Sequence, residues 1–214
     1  MGRLIKMNYL EKMKLYLVTD SDILKDRDFY FEIEEALKAG VKCIQLREKN
    51  LCGKEFLEKA KKLREITDKY EALLIINDRV DIAILCDADG VHVGQSDIPL
   101  SDVRKLVGDN MIIGVSTNTV ELAKEAKKNG ADYIGVGAVF PTSTKKDAKD
   151  VGIELLEEIV KRVEYIPIVA IGGIKLSNLE MIKHIDITGY AVISDILGNE
   201  NIFSKCKEWL NSVN

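Results

Sequence analysis

The sequence predicts an α/β protein folded as a single (β/α)8, or TIM, barrel, and three observations carry that expectation. Short runs rich in Val, Ile and Leu alternate with longer charged amphipathic segments. The alternation is met eight times between residue 14 and the C-terminal end, and no Pro-, Gly- or Ser-rich linker interrupts it. The 214 residues are therefore read as one domain, with residues 1–13 as a short N-terminal extension. The apolar runs start about every 25 residues, a spacing that lets one helix return the chain to a parallel neighbour. Eight such units point to a closed barrel, with an open doubly wound sheet as the alternative, because period alone does not report closure. The expected strands are residues 14–19, 41–47, 72–77, 90–93, 111–115, 133–136, 166–171 and 190–193, each followed by a helical pattern.

With 46% hydrophobic residues the chain can bury a full core. Its first dozen residues, MGRLIKMNYLEK, lack the apolar centre of a secretory signal, and no window approaches the roughly 18 apolar residues of a membrane span. A soluble cytoplasmic protein is expected. Cys43, Cys52, Cys86 and Cys206 lack the close pairing of a zinc site and are read as reduced, mostly buried thiols. With only His92 and His184, a histidine-built metal centre is not expected either. The net charge is -4, and lysines interspersed with acids mark solvated helix faces, not a nucleic-acid stripe. Any positive site has to be local.

In either architecture the chemistry belongs where strands end and helices begin. The second strand ends Gln45-Leu46-Arg47-Glu48-Lys49, and the period of two puts Gln45 and Arg47 on one face and Ile44 and Leu46 on the other. An inward guanidinium calls for an anion or a carboxylate; a structural ion pair meets that demand as well as a substrate does. The third strand ends in Asn77-Asp78 and the fourth runs on to Asp97. If these strands are neighbours, the two carboxylates converge on one cation, and Mg2+ suits such a site; the competing role for Asp78 is to cap the next helix. His92 is read as a core histidine. Ser116 offers a hydroxyl after the fifth strand, with Asn118 as a candidate N-cap.

Gly172-Gly173 after the seventh strand and Ile193-Ser194 after the eighth sit where such barrels often hold a phosphate, because glycine lets backbone N–H groups approach it. The loop after the sixth strand, GAVFPTSTKKDA, faces the same mouth with Thr142, Ser143 and Thr144 as hydroxyl donors and Lys145 as a cation, while Lys146 and Lys149 read as solvated. Cations beside a paired-aspartate metal site imply a diphosphate. A separate glycine pocket implies a second, singly phosphorylated substrate, so the mouth suggests group transfer with loss of pyrophosphate.

The motifs QLREK, INDRVDIA, ADGVHVGQSDIP, IGVSTNT, GADYIGVGAVFPTSTKKDA, VAIGGI and AVIS together resemble the thiamine-phosphate synthase family from the first strand to the last. The resemblance implies a (β/α)8 barrel that joins hydroxymethylpyrimidine diphosphate to a thiazole phosphate with Mg2+ and releases pyrophosphate by a dissociative route. It assigns the stretch Gln45, Leu46, Arg47, Glu48, Lys49 with Asn77, Ser116 and Lys145 to the pyrimidine diphosphate, and Asp78 and Asp97 to the metal. Thr142, Ser143, Thr144, Gly173, Ile193 and Ser194 fall to the thiazole phosphate, and Lys145, Arg47, Lys49 and Ser116 to catalysis. Asp195 departs from the small residue the resemblance leads one to expect after Ser194; strand alternation sends it outward. A thiazole tautomerase and a non-catalytic barrel binding a phosphorylated ligand are the alternatives.

Overall fold

The structure is a computed structural model that describes residues 9–142 and 151–213. All eight expected strands form: β1 (Leu15–Val18), β2 (Cys43–Leu46), β3 (Leu73–Asn77), β4 (Gly90–Val93), β5 (Ile112–Thr117), β6 (Tyr133–Val136), β7 (Ile168–Ile171) and β8 (Gly189–Val192). Each pairs in parallel with the next, and β1 pairs with β8 through Leu15 and Tyr190, which closes the sheet and excludes the open alternative.

The strand alternation divides the core into two layers. Leu15, Leu17, Ile44, Leu46, Leu74, Ile76, Val91 and Ile113 face the surrounding helices, where the amphipathic segments bury their apolar stripes. Tyr16, Val18, Cys43, Leu73, Ile75, Ile112, Tyr133, Val169 and Ala191 fill the barrel interior. Residues 9–13, expected as an extension, pack onto this inner layer at the N-terminal end of the strands. Met13 is fully buried, and the Tyr9 hydroxyl donates to the Asp132 carbonyl over 2.9 Å.

Helix starts follow local capping chemistry. Asp28 accepts from the Phe31 N–H ahead of Phe29–Ala39, and Thr119 accepts from the Leu122 N–H ahead of Val120–Lys128. Thr119, not Asn118, is therefore the N-cap, which leaves Asn118 to the barrel mouth. The crossover from β7 to β8 also departs from expectation, for among the described residues it holds only the short 3-10 turn Leu179–Met181. The Asn178 side chain accepts from the Lys175 N–H and donates to the Gly173 carbonyl, giving this backbone an alternative to helical bonding.

The inner layer needs a gap on β5. A Cβ built on Gly114 overlaps the Cζ–OH end of Tyr133 and lies 2.5 Å from His92 Nδ1, so only glycine leaves room for these two rings to meet. Tyr133 is fully buried and has nowhere to retreat. Gly114→Ala is accordingly expected to destabilise the fold by about 1–3 kcal/mol, lowering the melting temperature by roughly 3–10 °C. Calorimetry checks this, and an unchanged melting temperature contradicts the packing.

Candidate active site

A cavity of about 340 Å³ opens at the C-terminal ends of the strands and is lined from all eight of them. Its two sides differ in chemistry. On the β2–β4 side stand Arg47, Lys49, Asn77, Asp78 and Asp97. Thr19 Oγ1 accepts from the Arg47 N–H, and the Arg47 guanidinium lies 3.5 Å from Asp20 Oδ2. Lys49 Nζ lies 3.0 Å from Asp78 Oδ2, and Asp97 Oδ2 accepts from the Gly94 N–H at 2.7 Å.

Asp78 does not cap a helix. The helix Val80–Leu85 begins after Arg79 without a side-chain cap bond. Asp78 itself sits in the left-handed region at φ 63°, a conformation that Asp tolerates better than most residues. That backbone turns its carboxylate to Lys49 and Asp97. Burial, and then the neighbouring Asp78 carboxylate, push the Asp97 pKa up, against the Gly94 N–H and Lys49, which lower it. A carboxyl raised by burial and by a second carboxylate beside it is an electrostatic condition that a small divalent cation relieves. No larger group of His, Cys, Asp and Glu with metal-binding geometry occurs among the described residues, and a hard cation that completes its shell with water and phosphate oxygens needs no more.

On the β6–β8 side the cavity is lined by Thr142, Gly172, Gly173, Ile193 and Ser194. Gly172 and Gly173 have φ of 97° and 63°, and a Cβ on Gly173 would lie 2.7 Å from the Phe140 carbonyl oxygen. This Gly-Gly turn lets the loops after β6 and β7 touch, with the Phe140 N–H donating to the Gly172 carbonyl over 3.0 Å.

The cavity thus gathers the expected Gln45, Arg47, Lys49, Asn77, Asp78, Asp97, Ser116, Thr142, Gly173, Ile193 and Ser194. Two expected side chains are elsewhere. Leu46 is buried in the helix-facing layer, as its strand parity demands, and Glu48 accepts from the Ser21 hydroxyl at 2.7 Å and pairs with Lys59 at 2.6 Å. Ser143, Thr144 and Lys145, with Lys146 and Lys149, lie outside the described residues. Asp195 points away from the cavity, accepting from Trp209 Nε1 at 2.9 Å and from the Leu176 N–H at 3.3 Å.

Sequence reasoning passed over Tyr16 and Tyr133 and took His92 for a core residue. His92 is buried, but it also lines the cavity floor, where its Nε2 lies 2.9 Å from Ser116 Oγ. The available signal was parity, since all three stand at inward positions of their strands.

A closed (β/α)8 barrel whose mouth gathers cationic, carboxylate, hydroxyl and glycine groups from all eight strands has the form of an enzyme acting on small molecules. The chain belongs to the thiamine monophosphate synthase family, whose sequence pattern matches residues 15–196. It is 56% identical over 197 residues to the thiamine-phosphate synthase of Clostridioides difficile, covering 92% of this chain and 93% of that one. It is 55% identical over 194 residues to the Clostridium tetani thiamine-phosphate synthase, covering 91% and 92%. The solved structure of thiamine phosphate pyrophosphorylase from Pyrococcus furiosus superposes with a TM-score of 0.89 at 41% identity, over 96% of this chain and 98% of that one. The protein is therefore a transferase of thiamine biosynthesis.

The outward Asp195 gives a test of the pocket's boundary. Asp195→Ala strands the buried indole and amide donors, and is expected to cost about 1–3 kcal/mol, or roughly 3–10 °C in melting temperature. Substrate KM values should stay within about twofold of wild type, because its carboxylate does not face the pocket. A tenfold KM change at an unaltered melting temperature would place that carboxylate in the site.

Proposed function

We propose that the protein joins 4-amino-5-hydroxymethyl-2-methylpyrimidine diphosphate to hydroxyethylthiazole phosphate, giving thiamine monophosphate and pyrophosphate with the help of Mg2+. The observation that carries this reading is one cavity with two chemically distinct sides, a carboxylate pair with Lys49 and Arg47 facing a glycine turn with Ser194. A diphosphate with its metal suits the first side. A phosphate monoester suits backbone N–H groups and a hydroxyl on the second.

Arg47, steadied by Asp20, and Lys49 hold the diphosphate, joined by Lys145 on the resemblance. Gln45 and Ser116, deeper in the cavity, orient the pyrimidine. The bond between the exocyclic carbon and the diphosphate oxygen breaks with its electron pair leaving on oxygen, and the pyrimidine's amino group stabilises the resulting cation. The thiazole nitrogen then donates its lone pair to that carbon, forming the thiazolium. No nucleophilic side chain takes part. The fixed cations stabilise charge growing on the leaving group, a preorganised effect worth about 3–4 kcal/mol per donor. Asp78 and Asp97 would hold Mg2+, which would supply further positive charge to the diphosphate. A thiazole tautomerase has no use for that aspartate pair, which also argues, less decisively, against a passive phosphate-binding barrel.

The test is pyrophosphate release from the two substrates, with and without Mg2+. Asp78→Asn and Asp97→Asn keep the side-chain shape, and Asn also tolerates the left-handed backbone at position 78. Each is expected to lower Mg2+-dependent release by at least about a hundredfold without unfolding the protein. Full activity in both variants, or release by wild type without any divalent cation, would contradict the proposal.

A further inference from the structure

At the cavity floor, five inward side chains from five strands form one unbroken hydrogen-bonded chain. Gln45 Nε2 on β2 donates to the Tyr16 hydroxyl on β1 at 2.8 Å. The Tyr16 and Tyr133 hydroxyls lie 2.8 Å apart, bridging β1 and β6 across the barrel. The Tyr133 hydroxyl lies 2.9 Å from His92 Nδ1 on β4, and His92 Nε2 lies 2.9 Å from Ser116 Oγ on β5. Glycine at 114 makes the space in which Tyr133 and His92 meet. Burial holds the Tyr16 and Tyr133 phenols well above their ordinary range, so each carries its single proton.

Single protons make the order of donors directional. Tyr16 accepts from Gln45, so its own proton passes to Tyr133; with His92 as the neutral imidazole, the Tyr133 proton passes to His92 Nδ1 and the His92 Nε2 proton to Ser116. In the reverse order the Tyr16 proton would have no acceptor among the described residues, in an interior where an unpaired O–H is costly. The Ser116 proton is thereby left to face the cavity as a donor, while Gln45 keeps its Oε1 as an acceptor. The two ends of the chain are coupled, since inverting one inverts the other. An aminopyrimidine offers an N–H donor on its amino group beside an acceptor ring nitrogen, which complements this pair. Its 4-oxo counterpart offers an acceptor oxygen beside a ring N–H, the opposite pattern.

We propose that Tyr16, Tyr133 and His92 are positioning residues whose hydrogen-bonded chain fixes the donor and acceptor roles of Gln45 and Ser116, and so selects an aminopyrimidine diphosphate over the 4-oxo compound. The proposal rests on the function proposed above and names a specificity device within that site.

The experiment measures kcat/KM for the amino and 4-oxo pyrimidine diphosphates, and KM for the thiazole phosphate, in wild type, Tyr133→Phe and Tyr16→Phe. Wild type is expected to prefer the amino compound by at least about a hundredfold, as sites built to hydrogen-bond one pattern reject another. Tyr133→Phe breaks the chain in the middle and should shrink that preference by about tenfold or more, with the thiazole-phosphate KM within about twofold. Tyr16→Phe detaches only Gln45 and should shrink it as well, which decides the matter if Tyr133→Phe fails to fold. An unchanged preference in the folded variants overturns the proposal, because a merely structural role lowers stability without altering selectivity. A wild-type enzyme that turns over both compounds equally overturns the chain's role and leaves the transferase reading standing. A wild type that releases no pyrophosphate from either removes that reading and the proposal with it.

Discussion

The structure depends on the alternation of side chains along eight parallel strands whose ends are joined by the pairing of β1 with β8. Closure leaves no edge, so every odd or even position has one of two fates, the helix layer or the barrel interior. On β2 the same four residues supply Ile44 and Leu46 to the outer core and Cys43 and Gln45 to the inside. The register then converts sequence order into chemistry. Val18 lies beside Gln45, and Asn77 beside His92, so residues one step beyond the strands meet at the mouth.

Burying polar groups there has a cost that the site uses. Burial and the Asp78 carboxylate push the Asp97 pKa up, and Lys49 and the Gly94 N–H work against them. A carboxylate pair in that condition favours a cation, which in turn favours an anionic substrate. The glycine side works by the opposite means: it exposes backbone where a side chain would block approach, and among the described residues no carboxylate lines it. On the proposed function, two anions of different charge would be sorted within one cavity, their reacting centres brought together while their phosphates stay apart.

Much of this was legible in the sequence, for reasons of range. The strands and the inward placement of Gln45 and Arg47 follow from a period of two, and the meeting of Asp78 with Asp97 from the adjacency of consecutive strands. Leu46 and Glu48 entered the expected site only because they sit within a contiguous motif; parity sends Leu46 outward and Lys59 draws Glu48 away. The Tyr16–Tyr133 contact was not legible, since it joins residues 117 apart in sequence and depends on the absence of a side chain at Gly114. Asp78 was ambiguous because a cap and a ligand use the same residue type; the next helix starts after Arg79 with no side-chain cap bond, which removes the first role.

The central claim is that one barrel mouth holds a metal-bound diphosphate and a phosphate monoester on opposite sides. Anomalous diffraction from crystals grown with Mn2+, pyrophosphate and the thiazole phosphate tests it most directly. The account predicts a manganese peak between the carboxylates of Asp78 and Asp97, with pyrophosphate oxygens beside it and the monoester against Gly173 and Ser194. Manganese bound away from both aspartates, or both anions stacked on the same side of the cavity, would contradict it.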